Sequence, residues 1–298
     1  MKKIVVIGSS NTDMVIKADR LPVPGETIIG GQFMMNPGGK GANQAVAVAR
    51  MGGIVSFITK TGNDLFGKQS IELYNTEGIG TDYVFSDMRA PSGVALISVD
   101  TFGENCILVA PGANATLSVN DIEKARKEIE SADLLLMQLE IPMKTVEYAT
   151  QIAVAKGVKV ILNPAPAQAL PGELLKNLYI ITPNKSEAEL LTGIKVTDWS
   201  SARNAADIIS QGVNTVIITL GSQGALVKEG DSFYEIAAEK VTAVDTTAAG
   251  DTFCGALCVG LSEGMTVVEA VKLACKAAAI TVTRMGAQSS IPYRKEIL

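Results

Sequence analysis

The sequence lacks histidine entirely, and its cysteines are few and scattered. None of the 298 residues is histidine, which excludes a histidine general base, a Ser-His-Asp triad and a histidine-ligated zinc site within the chain. The four cysteines show no CxxC spacing. Cys254 and Cys258 stand four residues apart in an apolar setting, which is typical of packing on a buried helix face. General-base chemistry is therefore left to a carboxylate, a lysine or a tyrosine.

Long apolar runs and an excess of basic residues are also missing. The chain has no stretch of about 18 apolar residues, and residues 1–7 have neither the h-region nor the cleavage site of a signal peptide. We therefore expect a cytoplasmic protein without a membrane partner. Twenty-six Lys and Arg stand against 31 Asp and Glu, for a net charge of −5. This balance, without any basic block, argues against nucleic acid as a partner.

Two common nucleotide-binding motifs are absent as well. The chain contains neither the GxxxxGK[ST] pattern of Walker A nor the GxGxxG fingerprint of dinucleotide-binding folds. The second absence argues against a nicotinamide-dependent dehydrogenase. The length is compatible with one large α/β domain or with two smaller ones.

What the sequence does contain is a regular alternation of predicted strands and helices from residue 118 onward, beginning with a helix-capping pattern. Right-handed βαβ crossovers bring the carboxyl ends of parallel strands to one edge of a sheet. Polar residues at those ends should therefore line one cleft; they include Glu140, Asn163, Asn184, Glu187 and the segment 220–224. The first predicted strand, residues 4–7, runs into a polar loop with Asn11 and Asp13, although turn formation alone would also explain that loop.

Other segments predict a second, smaller β-layer. Residues 16–35 alternate like a strand but are interrupted by proline and glycine. Residues 93–99 and 106–109 flank a polar segment with a glycine, which is typical of a hairpin. A sheet of that size cannot bury both faces by itself. It should lie over the main domain as a lid, or pair with another subunit.

A glycine-rich segment, residues 36–44, precedes a helix with a face of small residues. Its glycines allow a close backbone approach, and Lys40 and Asn43 add hydrogen-bond donors. A tight loop before a helix also needs glycine for steric reasons alone. This segment by itself therefore leaves its function open.

The stretch 244–253 passes from a β-rich run through small residues into a predicted buried helix. The N–H groups of Ala248, Ala249, Gly250 and Asp251 should be free helix-start donors, which together with the helix dipole form an anion site. Asp251 adds a carboxylate in the same turn. Its position alone also fits an ordinary first-turn acid.

Taken together, these residues predict phosphoryl transfer to an alcohol. Carboxylates and amides suit neutral hydroxyl groups, whereas a phosphorylated substrate would call for more Arg or Lys, so an unphosphorylated sugar or polyol is the expected acceptor. Asn184 and Glu187 offer oxygen donors for a hydrated Mg²⁺. The glycines at 221 and 224 suit a nucleotide.

Two motifs make the sequence resemble the ribokinase-like carbohydrate kinase family over essentially its whole length. Residues 38–44 (GGKGANQ) resemble the N-terminal family signature, and residues 245–253 (DTTAAGDTF) resemble the C-terminal one. The resemblance implies a Rossmann-like three-layer α/β/α fold with a mostly parallel sheet and a small β-sheet lid. It implies one domain over residues 1–298, with lid segments at about 13–36 and 92–110, and a homodimer formed through the lid.

The resemblance also implies the activity. We expect ATP-dependent phosphorylation of the 5-hydroxyl of D-ribose, giving ribose 5-phosphate and ADP. Kinases of the same family that act on fructose, deoxyribose, pseudouridine or adenosine are the alternatives. A sugar-binding or regulatory protein on this scaffold should have lost either the catalytic base or the glutamate of the family's Asn-x-x-Glu pattern, which is residues 184–187 here. This chain retains both Asp251 and Glu187.

The resemblance further implies roles for individual residues. Asp251 would be the base, and Ala248, Ala249 and Gly250 would form the anion hole. Ribose would contact Asn11, Asp13, Gly39, Lys40, Asn43, Glu140 and Asp251. The nucleotide would contact Asn184, Thr219, Leu220, Gly221, Ser222, Gln223, Gly224, Gly250 and Cys275. Asn184 and Glu187 would order Mg²⁺ through water, and an activating K⁺ would lie among Asp245, Thr247, Thr281, Arg284, Gly286 and Ser290.

Two positions depart from this expectation. Many family members have glycine where this chain has Ala248, but the N–H donor survives that change. Cys275, expected near the adenine, offers little base-specific hydrogen bonding, which leaves the nucleotide preference open.

Overall fold

A computed structural model describes residues 2–102 and 104–297. Met1, Leu298 and Gly103, the glycine of the predicted hairpin loop, lie outside the described residues. The strands form a nine-stranded sheet and a separate four-stranded sheet. No helix within the described ranges is both long and apolar enough to cross a membrane.

The large sheet is mostly parallel, and the first strand of the chain is the third from one edge. In spatial order its strands are β13, β12, β11, β10, β9, β8, β1, β4 and β5, with antiparallel pairing at β11–β12 and β12–β13. Their bounds are β1 Lys3–Ile7, β4 Ile54–Gly62, β5 Val84–Asp87, β8 Leu134–Met137, β9 Lys159–Leu162, β10 Ile180–Ile181, β11 Thr215–Thr219, β12 Gly224–Glu229 and β13 Ser232–Ala237.

Helices cover both faces of this sheet. Successive side chains of a strand point to opposite faces, and accordingly Ile4 and Val6 of β1 pack into one apolar cluster while Val5 and Ile7 pack into the other. The predicted three-layer α/β/α architecture is confirmed. The helices are α1 Lys40–Arg50, α2 Leu65–Thr76, α3 Val119–Lys124, α4 Arg126–Glu130, α5 Met143–Ala155, α6 Gly172–Lys176, α7 Lys185–Thr192, α8 Trp199–Ile209, α9 Ala249–Ser262 and α10 Val267–Thr281.

The small sheet has the order β3, β2, β6, β7, and its strands are β2 Asn11–Lys17, β3 Gln32–Gly38, β6 Gly93–Val99 and β7 Asn105–Ala110. These strands lie within about two residues of the expected lid segments. The prediction of a loop at Asn11 and Asp13 is wrong, because β2 begins at Asn11. Its partners are β3 and β6, and such distant pairing leaves little trace in the local pattern.

Backbones approach closely where the first strand meets the first helix. A Cβ on Gly41 would stand 2.5 Å from the main-chain carbonyl carbon of Gly8 and 2.5 Å from the nitrogen of Ser9. Only glycine fits such a gap without displacing main-chain atoms. The approach places the start of α1 directly over the end of β1.

We expect Gly41→Ala to lower the free energy of unfolding by about 1–3 kcal/mol, because overpacking against backbone cannot be relieved by side-chain rotation. Gly172→Ala is the matched control, since a Cβ there meets nothing within 4 Å. Chemical denaturation of both variants measures the effect. Equal stabilities would contradict the steric account.

Candidate active site

The predicted polar residues converge at the carboxyl edge of the large sheet. The ends of β1, β8, β9 and β11 meet there with the first turns of α1, α7 and α9. This is the edge at which open α/β sheets bind ligands. Helix-start N–H groups and strand-end side chains therefore face the same space.

Asp251, in the first turn of α9, is 7% exposed and accepts two amide hydrogen bonds. Nδ2 of Asn43 donates to Oδ2 over 2.9 Å, and Nε2 of Gln44 donates to Oδ1 over 3.0 Å. Burial raises the pKa of Asp251, while the charge of Lys40 and the two amides oppose that rise. The site thus holds a desolvated carboxylate, a stronger proton acceptor than an exposed aspartate.

Three buried amides, those of Gln44, Gln138 and Asn163, form a hydrogen-bonded network that contacts Asp251 through Gln44, and none of them had been predicted to contact Asp251. Gln44 also donates to Oδ1 of Asn163 over 3.1 Å, and its own Oε1 accepts from Nε2 of Gln138. The Asn163 amide ends the chain by donating to the Thr182 carbonyl oxygen. Gln138 and Asn163 each directly follow a strand, β8 and β9. That position placed Asn163 in the predicted cleft, and it is the signal that could have placed Gln138 there too.

Lys40 begins α1 beside Glu140. Oε2 of Glu140 accepts the backbone N–H of Lys40 over 3.1 Å and also the hydroxyl of Ser9. Burial lowers the pKa of the Lys40 ammonium, but the charges of Asp251, Glu140 and Glu187 outweigh that effect and raise it. Lys40 therefore stays protonated and faces several carboxylates.

Asn11 and Asp13 enter the site from the first strand of the small sheet. Asn11 Oδ1 accepts from Nδ2 of Asn114 over 2.7 Å. The NH₂ group of Asn11 has no acceptor among the described residues and can donate to a ligand. A Cβ on Gly38 would stand 2.1 Å from Oδ2 of Asp13, so glycine makes room for that carboxylate. Burial and the charges of Glu140 and Asp251 raise the pKa of Asp13 to about 6, against the opposing charge of Lys40.

Several main-chain N–H groups at the start of α9, including that of Asp251 itself, have no hydrogen-bond acceptor in the described parts of the chain. No described residue accepts from the N–H of Ala248, Gly250 or Asp251, whereas the N–H of Ala249 donates to the Thr246 carbonyl oxygen over 3.3 Å. The expectation that Ala249 is also a free donor is therefore wrong. A turn at residues 246–249 takes up its hydrogen. A Cβ on Gly250 would meet no atom within 4 Å outside its own helical turn, so the space beside this residue is open.

Ala248 is the only non-glycine residue with positive φ in the described parts of the chain, at φ 59° and ψ 7°. A left-handed conformation costs an alanine roughly 1–2 kcal/mol. The departure from glycine at this position thus keeps the donor but strains the turn. Such strain persists where the surroundings enforce it, often at functional sites.

Asn184 and Glu187 form a reciprocal cap at the start of α7. Glu187 Oε2 accepts the backbone N–H of Asn184 over 2.8 Å, and Asn184 Oδ1 accepts that of Glu187 over 2.9 Å. Glu187 is 6% exposed, and burial raises its pKa. The cap holds a buried carboxylate near Lys40 and Asp251, whose charges both act on it.

The predicted nucleotide loop lies next to this cap. Thr219 ends β11 and bridges to Asn184, and residues 221–223 form a 3-10 turn. Gly221 has φ 62° with open space around it, whereas a Cβ on Gly224 would stand 1.9 Å from the Ile236 carbonyl oxygen. Leu220 is buried at 1% exposure, while Ser222 and Gln223 are exposed. Glycine at 224 is therefore explained by strand packing alone.

The residues expected to hold a monovalent cation are partly assembled. Asp245 accepts from the N–H and hydroxyl of Thr247 at 2.9 and 2.6 Å, and from the N–H of Gly286 at 2.9 Å. The Arg284 side chain pairs with Glu296, and its N–H donates to the Thr281 carbonyl oxygen. Ser290 is buried, its hydroxyl donating to the Ala287 carbonyl oxygen. Asp245 thus ties the loop before α9 to the segment after α10.

Cys275 lies on α10 and is 8% exposed. Burial, together with the charge of Glu239, raises the pKa of its thiol to about 11. A neutral thiol is a weak hydrogen-bond donor. Cys254 and Cys258 are also buried, with thiol pKa values raised by burial, as expected for packing residues.

Comparison with known proteins agrees with this geometry. Residues 1–294 match the family described as pfkB family carbohydrate kinase. The chain is 47% identical over 298 residues to the ribokinase of Haemophilus influenzae, covering 100% of this chain and 97% of that protein. It is 38% identical over 291 residues to the deoxyribokinase of Salmonella typhi, covering 97% of this chain and 95% of that one.

Two solved structures show the same fold. The ribokinase of Thermotoga maritima is 42% identical with a TM-score of 0.91, covering 100% of this chain and 98% of that one. The ribokinase of Arabidopsis thaliana complexed with ribose and ATP is 32% identical with a TM-score of 0.92, covering 99% and 97%.

The raised pKa of Asp13 predicts a pH-dependent cost in stability. Because the folded value, about 6, exceeds the ordinary value of 3.8, the cost is absent below about pH 4, grows as pH rises and is complete above about 6. We therefore expect Asp13→Asn to raise the free energy of unfolding by about 1–3 kcal/mol at pH 8 and by less at pH 5.

Urea denaturation at both pH values measures the difference. Asp19→Asn, which changes an exposed aspartate just beyond the same strand, is the control and should be neutral at both. A gain for Asp13→Asn that is larger at pH 5 would contradict the burial of an ionised carboxylate.

Proposed function

Because this chain belongs to the pfkB family of carbohydrate kinases, we propose that it transfers the terminal phosphoryl group of ATP to the 5-hydroxyl of D-ribose. The products are ribose 5-phosphate and ADP. The observation that carries this proposal is a buried carboxylate, Asp251, beneath free helix-start N–H groups at the end of a parallel sheet. Ribokinases that match the whole chain at 42–47% identity support ribose as the acceptor.

Ribose binds in the half of the cleft beneath the small sheet. Asp13 and Glu140 accept hydrogen bonds from its hydroxyl groups, while Asn11, Lys40 and Asn43 donate to its oxygens. Gly39 has φ 88°, and a Cβ added to it would lie within about 3 Å of main-chain atoms of residues 9–11, so glycine lets this residue pack against the segment that carries Asn11. None of these contacts needs a phosphate on the sugar, which agrees with an unphosphorylated acceptor.

Asp251 orients the 5-hydroxyl and accepts its proton. The hydroxyl oxygen forms a bond to the γ-phosphorus of ATP as the bond from that phosphorus to the β,γ-bridging oxygen breaks, and the proton passes to Asp251. Since the transition state of phosphoryl transfer is loose in most analyses, the proton leaves late and a strong base is not required. The raised pKa of Asp251 still favours accepting it.

The start of α9 stabilises the charge on the transferring group. The N–H groups of Ala248, Gly250 and Asp251 have no acceptor among the described residues, and the helix dipole adds a positive potential at this end of α9. Donors already in place where charge develops are an effective source of transition-state stabilisation. The N–H of Ala249 joins them only if its turn to Thr246 opens.

Asn184 and Glu187 fit a hydrated Mg²⁺. Mg²⁺ keeps several waters and binds through one or two carboxylates plus substrate phosphates, and Glu187 supplies a buried carboxylate whose oxygens have lone pairs beyond the cap. Mg²⁺ neutralises charge on the ATP phosphates when bound. Most of the coordination shell of Mg²⁺ is therefore proposed to be water and phosphate oxygens.

The nucleotide lies along the loop after β11 and the start of α9. Its contacts are proposed to come from Asn184, Thr219, Leu220, Gly221, Ser222, Gln223, Gly224, Gly250 and Cys275. The open space at Gly221 and the exposure of Ser222 and Gln223 support this placement. Leu220 can contribute only through its backbone.

A K⁺ ion bound among residues 245–290 would hold the loop that leads into α9. The Asp245 carboxylate already links this loop to Gly286, so a cation at Asp245, Thr247, Thr281, Arg284, Gly286 and Ser290 would stabilise the turn that contains Ala248. Backbone carbonyls are the donors proposed at Arg284 and Gly286. The cation acts by shaping the anion site.

The small sheet is proposed to act as a lid and to pair with a second subunit. Several of its large apolar side chains are exposed, namely Ile16, Phe33, Met35, Leu96, Ile107 and Leu108. Exposed apolar patches of this kind mark interaction surfaces. A homodimer joined through the small sheets would bury them.

Replacing the base tests the catalytic assignment. We expect Asp251→Asn to lower kcat for ribose by roughly 100-fold or more, a typical general-base effect, with ribose binding largely kept because the amide preserves the shape of the site. Steady-state kinetics and calorimetric ribose titration measure the two quantities. Asp82→Asn, an exposed change, is the control, and near-normal turnover of Asp251→Asn would refute the assignment.

Substrate choice and cation dependence are tested together. We expect ribose to give the highest kcat/KM for ADP release among ribose, deoxyribose, fructose, adenosine and pseudouridine, and K⁺ to increase turnover. Deoxyribose is the strongest competitor, because the Salmonella typhi deoxyribokinase is also similar to this chain. Ribose among the poor substrates would overturn the specificity, and equal rates with and without K⁺ would overturn the cation site.

A further inference from the structure

We propose that Gln44 is a positioning residue for the proton-accepting carboxylate: its side-chain amide, oriented by Gln138, holds Oδ1 of Asp251 so that Oδ2 faces the sugar hydroxyl. This inference rests on the proposed function. It concerns residues outside the sugar, nucleotide and cation contacts described above. The observation that supports it is a network of buried amides that donates to Asp251 through Gln44.

Donor and acceptor rules allow only one arrangement of this chain while Asp251 is ionised. A carboxylate only accepts hydrogen bonds, so Gln44 must turn Nε2 toward it. Oε1 of Gln44 then needs a donor, which is Nε2 of Gln138. The second hydrogen of Gln44 goes to Asn163, whose own amide donates to a main-chain carbonyl oxygen that cannot rotate away. The direction of every amide is therefore set.

These amides are also unable to move aside. Gln44 and Gln138 are completely buried and Asn163 is 7% exposed. A Cβ on Gly8 would lie 2.0 Å from Oε1 of Gln138, so that oxygen occupies the space that a side chain at residue 8 would need. Hydrogen bonds to a charge are strong in such a water-poor setting. None of the amides titrates, so their orientation does not change with pH.

The two oxygens of Asp251 thus have different surroundings. Oδ1 faces Gln44 and the sheet, whereas Oδ2 faces Asn43, which is proposed to contact the sugar. Without Gln44, the carboxylate could rotate and would lose one stabilising donor to its charged form. Both changes would make proton acceptance from the hydroxyl less efficient.

Other charged and titratable groups act on Asp251 and remain in any Gln44 variant. They are Lys40 of α1, Asp13 of β2, Glu140 after β8, Glu187 of α7 and Cys254 of α9. A change in the pH dependence of the rate that appears when Gln44 alone is replaced is therefore assigned to the Gln44 side-chain amide. Asp13 contacts the sugar and is expected to affect kcat/KM, so the reaction is best followed in the fully bound enzyme.

Gln44→Met and Gln138→Met test the proposal, with the single-turnover rate of ribose phosphorylation measured from pH 4.5 to 9 at saturating ribose and ATP. We expect Gln44→Met to lower the rate at pH 7 about tenfold and to move the acid limb up by about one pH unit, because a hydrogen bond to the charged form is lost. Gln138→Met should move the acid limb of the pH profile in the same direction by a smaller amount. Thr59→Val, which removes a buried hydroxyl that has no hydrogen-bond partner among the described residues, should leave the profile unchanged.

Calorimetric ribose binding and thermal unfolding accompany each profile. If Gln44→Met does not fold, the acid limb of Gln138→Met tests the positioning role in its place. Folded variants that bind ribose but keep the wild-type acid limb would overturn the positioning role, even if their rates fall. Failure of the wild-type enzyme to phosphorylate ribose would instead overturn the proposed function.

Discussion

The site depends on an imbalance of buried charge. Four carboxylates, those of Asp13, Glu140, Glu187 and Asp251, act electrostatically on one ammonium, that of Lys40. Burial raises the pKa of Asp13, Glu187 and Asp251, so ionising these three carboxylates carries a free-energy cost. In the proposed function, sugar hydroxyl groups that donate to these carboxylates, and cations that accompany the nucleotide, would reduce that cost. Substrate binding and the stability of the protein would then be opposed at the same residues.

The fold supports this cluster by keeping its parts on separate rigid elements. Asp251 belongs to α9, Lys40 to α1 and Glu187 to α7, while Glu140 follows β8. Each helix contributes its first turn, where N–H groups lack partners within the helix. The Glu140 carboxylate accepts one of these hydrogens at α1, and the Asn184 side chain accepts one at α7. At α9 the N–H groups of Gly250 and Asp251 have no acceptor among the described residues, and the proposed function assigns them to the phosphoryl group.

Much of the fold and of the candidate site was predictable from the sequence, because polar residues at strand ends and residues at helix starts form recognisable local patterns. The parallel sheet, a helix that begins near residue 250 and the strands of the small sheet follow from periodicity and glycine placement, and the family resemblance supplied the proposed roles. Contacts between distant segments were not predictable. The pairing of β2 with β3 and β6 turned an expected loop at Asn11 and Asp13 into a strand, and the turn from Thr246 removed the Ala249 donor. The amides of Gln44, Gln138 and Asn163 meet only in three dimensions.

The central claim is that Asp251 and the start of α9 direct phosphoryl transfer to one hydroxyl of ribose. The ¹³C NMR spectrum of the product formed from uniformly labelled ribose and ATP tests it most directly, because phosphorus couples to the carbon that carries the new ester. Coupling assigned to an ester on the 5-oxygen, with one ADP formed per sugar, is the predicted result. An ester on the 1-oxygen, or ADP formed without any sugar ester, would contradict the account.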